Sequence, residues 1–329
     1  MEIIRLIGEG RHITWFADSS HFISWDGNII QLWSVEGNEI DRFRFHRLHM
    51  IESNPKHSAI LLGGTMTNGE PEGIMINNAG QIIGRIQPYF KWSPNGEHIA
   101  GFFKDSEEEK KIWIWKLSYM KPEKEREIKL KKAVSIVSWG FERDLILFLN
   151  REENKGYILD LNTGKIKETV KIKGIVTQIV WSPYENLIMT GSKEGELKMW
   201  SLIIDAKGKV KKKEEFRKKF ESPIIRILWR APERVFIKIG REIYLLNTTE
   251  KELIKCGEGR VFDVSLDMNY IAIGEKGTVN IYGLKSGELK VTIETHGEVK
   301  DVKFSPNSQY LVIASTDYTL RILERMQDF

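Results

Sequence analysis

The sequence predicts an all-β fold assembled from tandem copies of one four-stranded unit. Three observations predict it. A motif recurs in Phe90-Lys91-Trp92-Ser93-Pro94-Asn95-Gly96, Val180-Trp181-Ser182-Pro183-Tyr184-Glu185-Asn186 and Val302-Lys303-Phe304-Ser305-Pro306-Asn307-Ser308. In each, a short apolar strand runs into a Ser-Pro turn, where proline pre-sets φ and a following Asn or Gly suits tight geometry. Further short apolar runs come next, such as Leu187-Ile188-Met189 and then Leu197-Lys198-Met199-Trp200. Finally, Gly, Pro and Asn interrupt the chain about every ten residues, too often for helices of 3.6-residue periodicity.

Each copy can be anchored on the bulky residue ending its first strand. The anchors are Trp15, Ser53, Trp92, Trp139, Trp181, Trp229, Leu266 and Phe304, spaced 38, 39, 47, 42, 48, 37 and 38 residues apart. The Ser53 and Leu266 copies are degenerate at the anchor. They rest on neighbouring runs, Ala59-Ile60-Leu61-Leu62 and Gly73-Ile74-Met75-Ile76 for the former, Tyr270-Ile271-Ala272-Ile273 and Thr278-Val279-Asn280-Ile281-Tyr282 for the latter. A period near 40 with four short strands (a to d) per unit is the signature of a β-propeller. The expected fold is one closed propeller over residues 1–329, with eight four-stranded blades. Seven would require one weak copy, the Ser53 one, to be no blade. The last copy has room for only three strands, ending with Thr319-Leu320-Arg321-Ile322-Leu323, while Ile3-Ile4-Arg5-Leu6-Ile7 is a spare strand at the start. The strand count therefore joins Ile3–Ile7 to the last blade, which removes a free edge. The outer d strands should alternate polar and apolar, as in Glu127-Ile128-Lys129-Leu130-Lys131 and Thr169-Val170-Lys171-Ile172-Lys173.

The Trp/Phe-Ser-Pro triplets and the period resemble the WD40-repeat family over essentially the whole chain. The family's Trp-Asp pair is replaced by Trp33-Ser34, Trp115-Lys116 and Trp200-Ser201. His296 resembles the family's histidine ahead of strand a, and Asp26-Gly27, Glu194-Gly195 and Asp317 resemble its acidic turn before strand c. The resemblance implies ring closure by exchange between the termini, and b–c and d–a turns gathered on one rim. It also implies a non-catalytic scaffold or adaptor for protein partners.

Composition sets the class. Of 329 residues, 41% are hydrophobic and 29% charged, which suits a folded soluble chain rather than a disordered one. A formal net charge of +4 does not announce a nucleic-acid binder. The lone Cys256 excludes an intrachain disulfide and points to a reducing compartment. No apolar run is long enough to span a bilayer, and Met1–Arg5 does not open a signal peptide. A cytoplasmic protein, monomeric on its own and without membrane contact, is expected.

Motifs for chemistry are absent. There is no Gly-x-Ser-x-Gly elbow and no phosphate-binding Gly-x4-Gly-Lys-Ser/Thr loop; Gly164-Lys165 lacks the upstream glycine. His46, His49 and His57 are split between opposite ends of the second copy, so no metal site is expected. Asp160-Leu161-Asn162-Thr163-Gly164-Lys165 resembles the repeat motif of quinoprotein propellers, but the Trp that should follow is missing, and Asn-Thr-Gly makes a good hairpin turn. Neither a cofactor nor enzymatic activity is expected.

The charge distribution is uneven. Residues 116–132 carry +4, residues 165–173 +3 and residues 205–221 +4, all in c–d turns and d strands of the third to fifth copies. Lys124, Lys129, Lys131, Lys171, Lys173, Lys211, Lys212, Lys213, Lys218 and Lys219 should form a basic outer wall. That wall makes an RNA- or ribonucleoprotein-associated factor the alternative function. Few aromatics interleave with these lysines, which argues against base stacking. The b–c turns of copies two to four are acidic, with Glu70, Glu72, Asp105, Glu107, Glu108, Glu109, Glu152 and Glu153. They form a candidate sector for a basic partner. The d–a turns contribute Arg11, His12, Arg47, His49, Tyr89, Arg260 and His296 as candidate partner anchors.

Overall fold

The computed structural model describes residues 3–7, 10–103, 110–141, 144–150, 152–171, 174–205 and 209–324. Within each sheet consecutive strands pair antiparallel. β1 (Ile3–Ile7) stands apart from this pattern. Four-stranded sheets follow in chain order. They are β2–β5 (His12–Trp15, His21–Asp26, Ile29–Ser34, Glu39–Arg44) and β6–β9 (Arg47–Ser53, Ala59–Thr65, Pro71–Asn77, Ile82–Ile86). Next come β10–β13 (Tyr89–Trp92, His98–Phe102, Lys111–Ser118, Lys121–Lys129) and β14–β17 (Ile136–Trp139, Leu145–Asn150, Lys155–Asp160, Lys165–Lys171). Then come β18–β21 (Val176–Trp181, Leu187–Ser192, Glu196–Ile204, Val210–Lys219) and β22–β25 (Ile224–Ala231, Arg234–Ile239, Glu242–Asn247, Leu253–Glu258). The last sheet has seven strands: β26 (Val261–Val264), β27 (Tyr270–Gly274), β28 (Lys276–Gly283), β29 (Leu289–Phe304), β30 (Tyr310–Ser315), β31 (Thr319–Glu324) and β1.

The expectation of eight separate blades is therefore corrected to seven sheets. The doubtful Ser53 copy is a complete sheet, β6–β9. The count falls elsewhere, because β29 runs unbroken for 16 residues. Its first part pairs with β28 as far as Lys276↔Glu298, and its second part pairs with β30 from Val299↔Ser315. One strand thus ends the seventh copy and begins the eighth. Proline or a glycine with positive φ marks other crossovers, as at Pro88, Gly174 and Pro223; β29 contains no proline and no residue with positive φ. The strand carries on through a bulge, since its register with β28 shifts between Lys276 and Thr278. β1 pairs with β31 from Ile3↔Leu323 to Ile7↔Thr319 and occupies the sheet's edge.

The repeated motif has a repeated chemistry. Ser93, Ser265 and Ser305 each donate through Oγ to the residue two positions on, Asn95 (2.7 Å), Asp267 (2.6 Å) and Asn307 (2.6 Å). Each also accepts a backbone N–H five positions on, from His98, Tyr270 and Tyr310. The side chains of Asn95, Asp267 and Asn307 cap the N–H two residues further, so the hairpin is held by side chains as well as by its ladder. The residue after this Asn or Asp takes positive φ: Gly96 (70°), Met268 (59°) and Ser308 (61°). This alignment corrects one anchor. β26 ends at Val264, and Leu266 lies in the proline slot of the turn, 49% exposed.

The chain divides into two compact units, residues 1–88, 119–122 and 257–329 in one, 89–118 and 123–256 in the other. In the first unit the inner strands β26, β29, β2 and β6 are successive neighbours. Apolar faces interleave between them. Ile23, Ile30 and Leu32 pack on Ile60, Leu62, Ile74 and Ile76, and Trp15, Phe22 and Trp33 on Val312, Leu320 and Ile322. Polar bonds tie the same neighbours. Asp301 Oδ2 accepts from Ile13 N, and Trp15 Nε1 donates to the carbonyl of Lys303, both at 3.0 Å. In the second unit β10, β14, β18 and β22 follow one another, and Trp139 Nε1 donates to the carbonyl of Lys91 at 2.8 Å. Trp15 and Trp139 thus make the same bond, to the residue preceding the neighbouring copy's anchor.

Candidate functional site

The candidate site is the end of the sheets that carries the d–a and b–c turns. In the first unit, hairpin register places Arg11 and His12 beside Trp25 and Asp26 at this end of β2 and β3. Arg11 Nε meets Asp26 Oδ2 at 2.9 Å, and the His12 ring lies 5.2 Å from that of Trp25. Arg47 and His49 open β6 and are exposed, and the His49 ring reaches Thr65 Oγ1 at 3.4 Å. Phe45, only 2% exposed, pins the crossover between β5 and β6; its N–H donates to the Asn28 carbonyl, and the N–H of His46 to that of Thr65. Gly64 makes room for this crossover, since a Cβ there would run into the carbonyl of Arg47.

At the other side of this unit, Arg260 and Lys300 both engage Glu298, the latter at 3.0 Å. His296 is exposed and uses its backbone N–H, not its ring, to reach Asp317 Oδ2 at 3.1 Å. Asp317 is the centre of a dense network, accepting from Arg321 Nη2 (2.9 Å), from Thr319 Oγ1 (2.6 Å) and from Ser315 Oγ. Burial would raise its pKa, but the bonds from Arg321, Ser315 and Thr319 outweigh it and hold the carboxyl well below the usual range. Asp317 therefore supports its turn.

The acidic candidates are placed as follows. Glu70 is exposed, and Glu72 is paired with Arg85. Glu152 is exposed in the second unit. Glu153 is engaged by Lys132, Tyr157 and Lys155. The bonds from Lys132 and Tyr157 take its carboxyl down to about 2, while burial and Glu153 push Tyr157 up to about 12. Such shifts report charge neutralisation, not a group poised for proton transfer near neutrality. Asp105, Glu107, Glu108 and Glu109 lie outside the described residues, as does Lys173. Tyr89 stacks on Phe102 at 5.6 Å and packs against the core cluster of its unit.

The basic wall lies on β13, β17 and β21 and the turns around them. Much of its charge is already matched. Lys124 meets Glu127 at 3.0 Å, Lys212 meets Glu168 at 3.2 Å and the Thr169 carbonyl, and Lys213 meets Glu215 at 3.1 Å. Lys213, Ser201 and Lys251 bring Glu215 down to about 2. Lys219 donates to the Glu194 carbonyl, and Lys218 lies over the Phe220 ring at 5.4 Å. Lys129, Lys131, Lys171 and Lys211 remain exposed. Among the described residues no group of three or more His, Cys, Asp or Glu could hold a metal ion.

Sequence reasoning passed over Arg44, the exposed last residue of β5. The signal was Arg42-Phe43-Arg44-Phe45-His46-Arg47, in which a single buried Phe turns its neighbours outward.

Within each unit, inner strands packed side by side carry charged turns at their ends, which defines an all-β fold of repeated four-stranded sheets. The family description "WD domain, G-beta repeat" matches residues 166–201 and 287–323. Among solved structures the chain is similar to the C-terminal WD40 domain of Sif2, with TM-score 0.73, 14% identity, and coverage of 99% of this chain and 98% of that one. No match was found among curated proteins. The chain shares the β-propeller fold of that WD40 domain, and two of its segments match the WD40 repeat.

Proposed function

We propose that the protein is a non-catalytic interaction platform in a cytoplasmic assembly, binding one or more protein partners through its turn-bearing end. The observation that supports this most is the exposure of Arg11, His12, Arg47 and His49 at the start of inner strands whose backbones are fixed by the sheets. Loops on a rigid scaffold present side chains without ordering them anew on binding, and arginine is a favoured anchor at interfaces. WD40 propellers typically serve as protein-interaction scaffolds, which agrees with this reading. The RNA alternative draws on a wall where many lysines already neutralise neighbouring glutamates, which weakens its field.

Affinity capture from an extract of the native cells tests the reading. Wild type, an Arg11→Glu/Arg47→Glu variant and a Lys211→Glu/Lys213→Glu variant are compared, with protein and nucleic-acid stains. Loss of specific protein partners from the first variant alone is the expected result. Retention of all partners by that variant, or nuclease-sensitive capture lost only from the second, would overturn it.

A further inference from the structure

Arginines and histidines crowd the crossover from β5 to β6. Arg44, His46, Arg47 and His49 are all exposed there. Among the described residues Arg44, His46 and Arg47 take part in no ion pair. Their backbone is clamped from both sides, by Phe45 N on the Asn28 carbonyl (3.0 Å) and His46 N on the Thr65 carbonyl (2.9 Å). Register puts Arg44 opposite Ile29 and Arg47 opposite Thr65, so both stand at the b–c end of their sheets. Arg11 and His12 lie at the same end of β2, the inner strand next to β6. The acids of the b–c turns of these two sheets are Asp26, held by Arg11, Glu72, held by Arg85, and the exposed Glu70.

We propose that this arginine–histidine crossover, with Arg11 and His12, docks an acidic peptide segment of a partner protein. The inference rests on the platform reading and names the chemistry of its partner. The guanidinium fork matches carboxylate or phosphate oxygens bidentately, which a lysine cannot do. Fixed backbone on both sides of Arg44 and Arg47 lowers the ordering cost of binding. A peptide fits better than a nucleic acid for two reasons. Glu70 would repel a continuous phosphate backbone, whereas a peptide can place a neutral residue there. Among the described residues the rings at this crossover are the half-buried Trp25 with its His12 neighbour and the imidazoles of His46 and His49, with no row of exposed Phe, Tyr or Trp for successive base stacking.

Fluorescence anisotropy on the full chain is the test. The probes are a short labelled peptide of alternating Glu and Ser, the same peptide with phosphoserine, a Gln/Ser counterpart, and oligouridylate RNA. The acidic peptides should bind, weaken as salt rises, and lose at least about tenfold in affinity to an Arg44→Glu/Arg47→Glu variant. A gentler Arg44→Gln/Arg47→Gln variant should lose less, and Lys211→Glu/Lys213→Glu should bind like wild type, each with an unchanged circular dichroism melt. The phosphoserine arm distinguishes phosphate from carboxylate as the preferred anion, and preference for either supports the proposal. Equal binding of the Gln/Ser peptide, binding unaffected by the crossover variants, or RNA binding that the crossover variants abolish while the peptides fail to bind would overturn it. If protein partners are still captured by the crossover variant, the platform stands and this inference alone falls.

Discussion

Trp15 and Lys303, 288 residues apart, are joined by an indole N–H to carbonyl bond of 3.0 Å. The bond ties the first copy of the repeat to the last within one compact unit. Asp301 adds a second tie at the same junction, through Ile13 N, and Ser19 Oγ a third, through Asn307 N at 2.9 Å. Trp181 is equally buried, yet its indole nitrogen has no partner among the described residues. Trp15→Phe should therefore destabilise more than Trp181→Phe, by about 1 kcal/mol, because only the first takes a donor from a half-buried acceptor. Parallel denaturant titrations of the two variants check the difference.

Removing residues 1–7 should lower the melting temperature and promote association. The truncation strips β1 from β31 and leaves a row of unpaired backbone groups at the sheet edge. Calorimetry and light scattering measure both effects. A truncated chain that melts like wild type and stays dispersed would show that the edge strand contributes nothing.

Asp317 couples stability to pH. Its carboxyl is held well below the unfolded value, so its contribution is fully present above the unfolded carboxylate pKa and is lost as pH falls through the folded one. Asp317→Asn should lower stability at neutral pH and flatten the acid limb of the stability curve below about pH 4. Urea midpoints measured from neutral to acid pH reveal this. Parallel curves for variant and wild type would contradict it.

Gly64→Ala should cost roughly 1–3 kcal/mol, since a Cβ would be forced against the Arg47 carbonyl, the Leu48 backbone and the Phe45 ring. Because the strain falls on the crossover, the variant should also weaken acidic-peptide binding while leaving the wall unchanged. Denaturation and anisotropy on the same preparation separate the two effects.

Cys256 should react slowly with iodoacetamide at neutral pH. Burial pushes its thiol up, so the reactive thiolate is scarcer than in an ordinary cysteine. Alkylation followed by mass spectrometry across alkaline pH should show the rate rising only at higher pH than for a free thiol.

Much of the fold is written in local chemistry. The Ser-x-Asn/Asp turns of Ser93, Ser265 and Ser305 build themselves from side chains within five residues, so their spacing reveals the repeat. Counting strands was enough to bring Ile3–Ile7 to the last copy, because an edge strand needs a partner. The charged candidates Arg11, Arg47 and His49 were legible because d–a turns lie outside the apolar runs.

What only the tertiary structure decided depends on direction and on distant neighbours. The seventh and eighth copies share β29, which leaves β28 at Glu298 and takes up β30 at Val299, and no residue type announces that continuity. Glu72 and Glu153 carry the same charge in the sequence as Glu70 and Glu152. Yet Arg85 and Lys132 neutralise the first two, while the others face solvent. Strand register set which carboxylate met a cation, and it likewise left Arg44 and Arg47 without an acid beside them. A short motif specifies backbone geometry because its atoms are already adjacent, whereas the balance of charge at a surface is set only when the sheets have packed.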